Sequence, residues 1–164
     1  MARLRTDAAY LVSARPAPLD LDARLLSPPS AGPADLTDAR PSEGDPATLA
    51  GRRILLVEDE ALIAMELEMT FEHFGAAVVG PCYGLASAVE TARSTDLAAA
   101  VLDIDLAGED VFPAADILTE RGVPFVFHTG HGRRIELARD YPDVPVCKKP
   151  VRGERIAKVL AGLL

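Results

Sequence analysis

The sequence predicts an α/β fold, a three-layer sandwich in which five parallel strands are covered by helices on both faces. Three observations predict it. From Arg52 to Leu164, apolar runs of strand length alternate with stretches of helical period. The strand runs are apolar throughout rather than alternating, which marks strands buried on both faces. The carboxyl ends of four of them carry polar groups for which a core has no use.

Ile54–Val57 is the first apolar run. In Ala61–Phe74, Ile63, Leu67, Phe71 and Phe74 recur near helical spacing, and Gly75 can end that helix. Ala77–Gly80 reads as a second strand, and Leu85, Val89 and Ala92 mark a second helix. Ala99–Asp103 is the third strand. Val111, Ala114, Ala115 and Leu118 give a third helix, with Pro113 tolerated in its first turn and Gly122 at its end. Val123–Phe127 is a fourth strand, Arg133–Arg139 a short fourth helix, and Val144–Cys147 a fifth strand. Ile156, Val159, Leu160 and Leu163 form the core face of a last helix. Right-handed crossovers leave few topologies for five such units, and the flavodoxin-like strand order 2-1-3-4-5 is the expected one. Strands one and three are then neighbours whose connections leave toward opposite faces. The crevice between their carboxyl ends is where such sheets place a ligand.

Residues 1–51 read differently. They hold seven of the thirteen prolines, a single aromatic (Tyr10), five basic and seven acidic residues. Prolines interrupt any element before it is long enough to pack, so a disordered extension is expected, followed by one domain over 52–164. A short docking or targeting segment, or a true start near residue 50, are the other readings of this stretch. No internal repeat is visible.

The charge balance limits the function. A net charge of −8 argues against a nucleic-acid surface, which needs clustered Lys and Arg. No apolar run approaches the roughly eighteen residues of a membrane span, and Met1–Tyr10 lacks a signal-peptide pattern. A soluble cytoplasmic protein is the expectation. Cys82 and Cys147 fall on strands at opposite edges of the sheet and read as core thiols rather than a disulfide.

The chemistry lies at the strand ends: Glu58-Asp59-Glu60, Asp103-Ile104-Asp105, His128-Thr129-Gly130 and Lys148-Lys149-Pro150. Parallel strands bring all four to one rim. Glu58, Asp59 and Asp103 converge there, and like charges so close call for a cation. Mg²⁺ suits carboxylate and carbonyl oxygens. Asp59 and Glu60 also suit a helix N-terminus, Thr129 could satisfy backbone groups, and Asp105 could be a turn residue. A carboxylate can itself be the nucleophile in phosphoryl transfer, a reaction that needs positioning and charge neutralisation more than covalent help. Lys149 offers the positive charge and Thr129 a hydrogen bond.

ILLVEDE, AVLDIDL, FVFHTG and KKP, in this order and spacing, resemble the motifs of two-component response-regulator receiver domains. The resemblance covers Arg52 to the C-terminus. It implies that Glu58 and Asp59 are the acidic pair, Asp103 the phosphoacceptor and a metal ligand, and Asp105 a ligand through its backbone carbonyl. It implies that Thr129 and Lys149 hold the phosphoryl group, and that the donor is a histidine kinase or histidine phosphotransfer protein. Slow Mg²⁺-dependent self-phosphorylation and autodephosphorylation follow, without enzymatic turnover of a substrate. With no output domain after the last helix, a stand-alone regulator is expected, acting through a downstream partner or as a phosphoryl shuttle.

The chain departs from many receivers at Val146, three residues before the Lys, where they carry an aromatic switch residue. The run Phe125–Gly130 instead resembles a subfamily with a Phe-x-Thr-Gly signature and no such switch. The Gly130–Gly132 loop is then the expected mobile element, and His128 and His131 read as solvated loop histidines. Asp103-Ile104-Asp105 also resembles the Asp-x-Asp of haloacid-dehalogenase-like phosphatases, although that family places its acidic metal ligands after the Lys. A flavin-binding module would need a phosphate loop where Glu58-Asp59-Glu60 stands. A receiver that never accepts phosphate is a further alternative.

Overall fold

The computed structural model describes residues 42–130, 137 and 139–164. Among the described residues, seven strands and four helices follow in order, preceded by a short 3-10 helix at Pro46–Leu49. They are β1 Arg53–Val57, α1 Ala61–His73, β2 Ala77–Cys82, α2 Leu85–Ser94, β3 Ala99–Asp103, β4 Asp105–Leu106, β5 Glu109–Asp110, α3 Phe112–Glu120, β6 Phe125–Thr129, β7 Val146–Lys148 and α4 Gly153–Ala161. The expected fourth helix over Arg133–Arg139 falls, apart from residues 137 and 139, outside the described residues.

Five strands make one parallel sheet in the order β2-β1-β3-β6-β7. Setting aside the two-residue strands β4 and β5, this is the flavodoxin-like 2-1-3-4-5 order. Side chains on successive strand residues point to opposite faces, so each strand feeds two cores. Leu55, Val57, Leu102 and Phe127 pack with α2 and α3. Ile54, Leu56, Val101 and Val126 pack with α1 and α4. All these residues are fully buried, which explains why the strand runs carry no polar alternation. The edge strand β2 contains Pro81, and the opposite edge, β7, is three residues long. Cys82 and Cys147 lie on these two edges as buried free thiols.

Two expectations are corrected, and one hairpin is added. Residues before Arg52 already pack against the domain. Asp45 caps the 3-10 helix by accepting from the Ala47 N–H at 3.0 Å, Pro46 occupies its first turn, and Leu49 is fully buried in the α1–α4 core. Gly44 donates to the Lys158 carbonyl at 2.8 Å, and a Cβ there would stand 2.6 Å from the Ala161 carbonyl carbon. The fourth large strand starts two residues later than its apolar run, at Phe125, because Val123 and Pro124 link it to the turn at Arg121-Gly122 that follows α3. Residues 105–110 form a hairpin, β4–β5, around Ala107 (φ 56°) and Gly108 (φ 95°). Positive φ at both turn positions suits the right-handed twist of a hairpin, and Gly108 tolerates it where Ala107 is strained.

Two outcomes test this description. Leu49→Ala is expected to cost about 2–5 kcal/mol in urea unfolding; a loss below about 0.5 kcal/mol would remove residues 42–51 from the core. Ala107→Gly is expected to stabilise the fold by roughly 0.5–1 kcal/mol, the balance of released strain against added chain entropy. A destabilised Ala107→Gly variant would contradict the left-handed assignment.

Candidate functional site

The strand ladders run one residue past their formal ends. The Glu58 N–H donates to the Cys82 carbonyl at 3.1 Å, and the Lys149 N–H donates to the Thr129 carbonyl at 2.8 Å. Alternation therefore decides where each polar side chain goes. Glu58 follows Ile54 and Leu56 onto the α1–α4 side, with Asp103 after Val101, His128 after Val126, and Lys149 after Cys147. Asp59 and Thr129 take the opposite parity.

The result is a buried charged knot beneath an open cleft. Lys149 Nζ lies 2.7 Å from Asp103 Oδ2, 2.7 Å from Glu58 Oε1 and 3.4 Å from Glu60 Oε1. Glu58 is fully buried and Asp103 is 5% exposed. His128 is buried too, with Nδ1 3.3 Å from Glu58 Oε2 but not aligned as a hydrogen bond. The reading of His128 as a solvated loop residue is thus corrected; it is the fourth residue of β6. His131 and Gly132 lie outside the described residues.

The protonation preferences follow from this packing. Burial pushes the Glu58 carboxyl up, but His128 and Lys149 more than offset it, and the group is held below its usual range. Asp103 ends above its usual range: burial raises it, Lys149 opposes, and the Glu58 charge adds to the rise. Burial alone would lower Lys149, yet its hydrogen bonds to Asp103 and Glu58 hold the ammonium above its ordinary value. Burial pushes the Cys147 thiol up to about 11, so it stays protonated and inert.

The cleft above has a volume of about 650 Å³, and its lining includes Asp59, Glu60, Asp103, Asp105, Thr129 and Lys149. Glu58 lies below this lining. Asp59 Oδ2 accepts from the Ala107 N–H at 3.0 Å, tying the first acidic loop to the hairpin that follows Asp103. Asp105 Oδ1 accepts from the Gly108 N–H at 2.6 Å, so its carboxylate serves the turn rather than standing ready as a general acid. Thr129 is buried at the wall. Glu60, read from sequence only as a helix-start charge, makes no side-chain cap and leans toward Lys149 instead. Its position one residue ahead of α1, with its side chain unused by the helix, is the signal that could have placed it here.

Oxygens of Glu58, Glu60 and Asp103 lie within 4.8 Å of one another, an all-oxygen donor set that fits a hard divalent cation. Val146 is half-buried beside Phe127. The aromatic packing comes from elsewhere, with Tyr141 stacked on Phe112 at 5.7 Å and edge-on to Phe127 at 5.3 Å. The Tyr141 hydroxyl donates to Asp116 Oδ1 at 2.6 Å.

No protein-family model matches the chain. The transcriptional regulatory protein PdtaR of Mycobacterium tuberculosis (strain H37Rv) is 33% identical over 102 residues, covering 60% of this chain and 50% of PdtaR. The chain thus spans about half the length of the curated relative it matches. Among solved structures, the PhyR response regulator REC domain of Erythrobacter litoralis is 25% identical with a TM-score of 0.61, covering 70% of this chain and 90% of that one. SdrG of Sphingomonas melonis Fr1 is 39% identical with a TM-score of 0.60, covering 71% of this chain and 97% of SdrG. SdrG has also been solved in a BeF3-activated conformation, with a TM-score of 0.57 to this chain. Since the likeness to SdrG runs over nearly all of that protein, and the sheet order and acidic rim are those the sequence motifs imply, the chain belongs to the response-regulator receiver family.

Proposed function

We propose that Asp103 accepts a phosphoryl group from the phosphohistidine of a histidine kinase or histidine phosphotransfer protein. The observation that carries this reading is the Lys149 ammonium bridging Asp103 and Glu58 at the floor of the cleft. An Asp103 carboxylate oxygen attacks phosphorus, the P–N bond to the donor imidazole breaks, and its electron pair returns to the imidazole nitrogen. The product is an acyl phosphate. Lys149, already within hydrogen-bond reach of Asp103, offsets charge on the transferred group, and Thr129 on the cleft wall offers a hydroxyl to it. Asp103, Asp59, Glu60 and the Asp105 carbonyl are the proposed holders of Mg²⁺, which neutralises phosphoryl oxygens when bound. Glu58, whose Oε1 is held by Lys149, is the deepest acid of the proposed set.

In this reading the chain is a signalling switch and not an enzyme with its own substrate. Self-phosphorylation from a small phosphodonor and autodephosphorylation are slow side activities. Signalling takes place in the cytoplasm, and a protein partner reads the phosphorylated state. The BeF3-activated state of SdrG supports it, because beryllofluoride on a carboxylate mimics an acyl phosphate. Among the described residues no helix is long and apolar enough to cross a membrane.

Intact-mass analysis after treatment with acetyl phosphate and Mg²⁺ is expected to show one added phosphoryl group, absent in Asp103→Asn. An adduct that survives Asp103→Asn would sink the assignment. Stability gives a second outcome. Asp103 is harder to ionise in the fold than in the unfolded chain, so its ionisation costs stability. That cost is absent below the ordinary aspartate range and complete above the raised value. Asp103→Asn is therefore expected to melt higher than wild type at neutral pH without Mg²⁺, the gap closing as pH falls through that window. A lower midpoint for the variant would contradict the raised pKa.

A further inference from the structure

His128 is a buried polar side chain that the proposed phosphotransfer does not use. It is 3% exposed, and among the described residues neither ring nitrogen has a hydrogen-bond partner. Glu58 Oε2, also without a partner, lies 3.3 Å from Nδ1. Both belong to the α1–α4 side of the sheet, where His128 stands between Asp103 on β3 and Cys147 on β7 in the ladder.

Elementary chemistry selects one arrangement of the imidazole. With the proton on Nε2, the Nδ1 lone pair would face a carboxylate oxygen at van der Waals distance, and the N–H would be orphaned. With the proton on Nδ1, a donor meets the charged acceptor and only a lone pair is left unpaired at Nε2. An unmade hydrogen bond to a buried charge is the costlier defect. A small ring rotation then aligns the bond.

We propose that His128 is a positioning residue: its Nδ1–H donates to Glu58 Oε2, which locks the Glu58 carboxylate so that Oε1 holds Lys149 against Asp103. The chain His128–Glu58–Lys149–Asp103 then sets the cation at the acceptor from the buried side. Glu58 is thereby kept as an anchor beneath the cleft, while Glu60 and Asp59 remain on its open side. This rests on the reading of Asp103 and Lys149 as the phosphotransfer pair, but the imidazole arrangement is measurable without any phosphorylation.

The test uses the full chain. A long-range ¹H–¹⁵N spectrum of the imidazoles, with His128 assigned by the signals lost in His128→Asn, is expected to show a protonated Nδ1 in slow exchange and a bare Nε2. A protonated Nε2 would overturn the proposal. The Asn side chain can place its amide donor where Nδ1 stood, whereas Leu cannot. The slowly exchanging Lys149 ammonium signal is expected in wild type and His128→Asn and to be lost in folded His128→Leu. Phosphorylation by acetyl phosphate is expected to fall about tenfold in His128→Leu and to stay within about twofold of wild type in His128→Asn. Equal behaviour of the two variants in both measurements would overturn the positioning role. If wild type takes no phosphoryl group at all, the acceptor reading fails, and the tautomer and ammonium signals still decide the role of His128.

Discussion

One ammonium group holds the rim of this sheet together. Two buried carboxylates, Glu58 and Asp103, face the same side, and without Lys149 between them each would stand in a poorly solvated site beside a like charge. The arrangement depends on chain topology. β1 and β3 are neighbours although three elements, α1, β2 and α2, separate them in sequence, and β7 brings Lys149 from the far edge of the sheet across β6. Parallel pairing makes all carboxyl ends coincide, and side-chain alternation then decides which of them look into the same space. The charged knot is thus a consequence of the fold's register as much as of its composition.

The same register separates two roles that adjacent carboxylates share. Glu58 has the parity of Leu56 and goes inward. Asp59 has the parity of Val57 and reaches the hairpin after Asp103, where it accepts from Ala107. Glu60 has left the ladder and sits on the open side, beside the start of α1. Three consecutive acids therefore occupy three environments: a buried anchor, a loop clasp and an exposed carboxylate facing Lys149. A buried imidazole adjoining the anchor completes the set. The proposed phosphotransfer needs a carboxylate that is reactive toward phosphorus yet tolerable in the resting fold, and a cation held from below meets both demands.

Much of this was legible in the sequence, for identifiable reasons. Strands such as Ala99–Asp103 are buried on both faces and so announce themselves as unbroken apolar runs, and the last helix shows its core face by spacing alone. The rim was legible because four polar clusters terminate four such runs. What escaped has physical causes as well. Two-residue strands such as Asp105–Leu106 carry no periodicity, and their turn is set by backbone angles at Ala107 and Gly108. Residues 42–51 read as a proline-rich extension because a single buried side chain, Leu49, leaves no pattern. Which acid faces inward is written in the parity of Ile54, Leu56 and Glu58. Reading it requires knowing where the ladder ends, and the hydrogen bond from Glu58 to Cys82 settles that only in three dimensions. The inward turn of His128 follows from Val126 in the same way.

The two borders of the sheet have a bearing on how such a protein meets others. An open strand edge is a row of unsatisfied amides and carbonyls, ready to be extended by any other chain in extended form. Here one border carries Pro81, which has no amide hydrogen to offer, and the other is only three residues long. Neither is a good template for a further strand. Association by sheet extension is thereby discouraged, and recognition is left to the helical faces. There α1 presents Leu62, Met65 and Met69 to solvent within one helix that begins at the cleft.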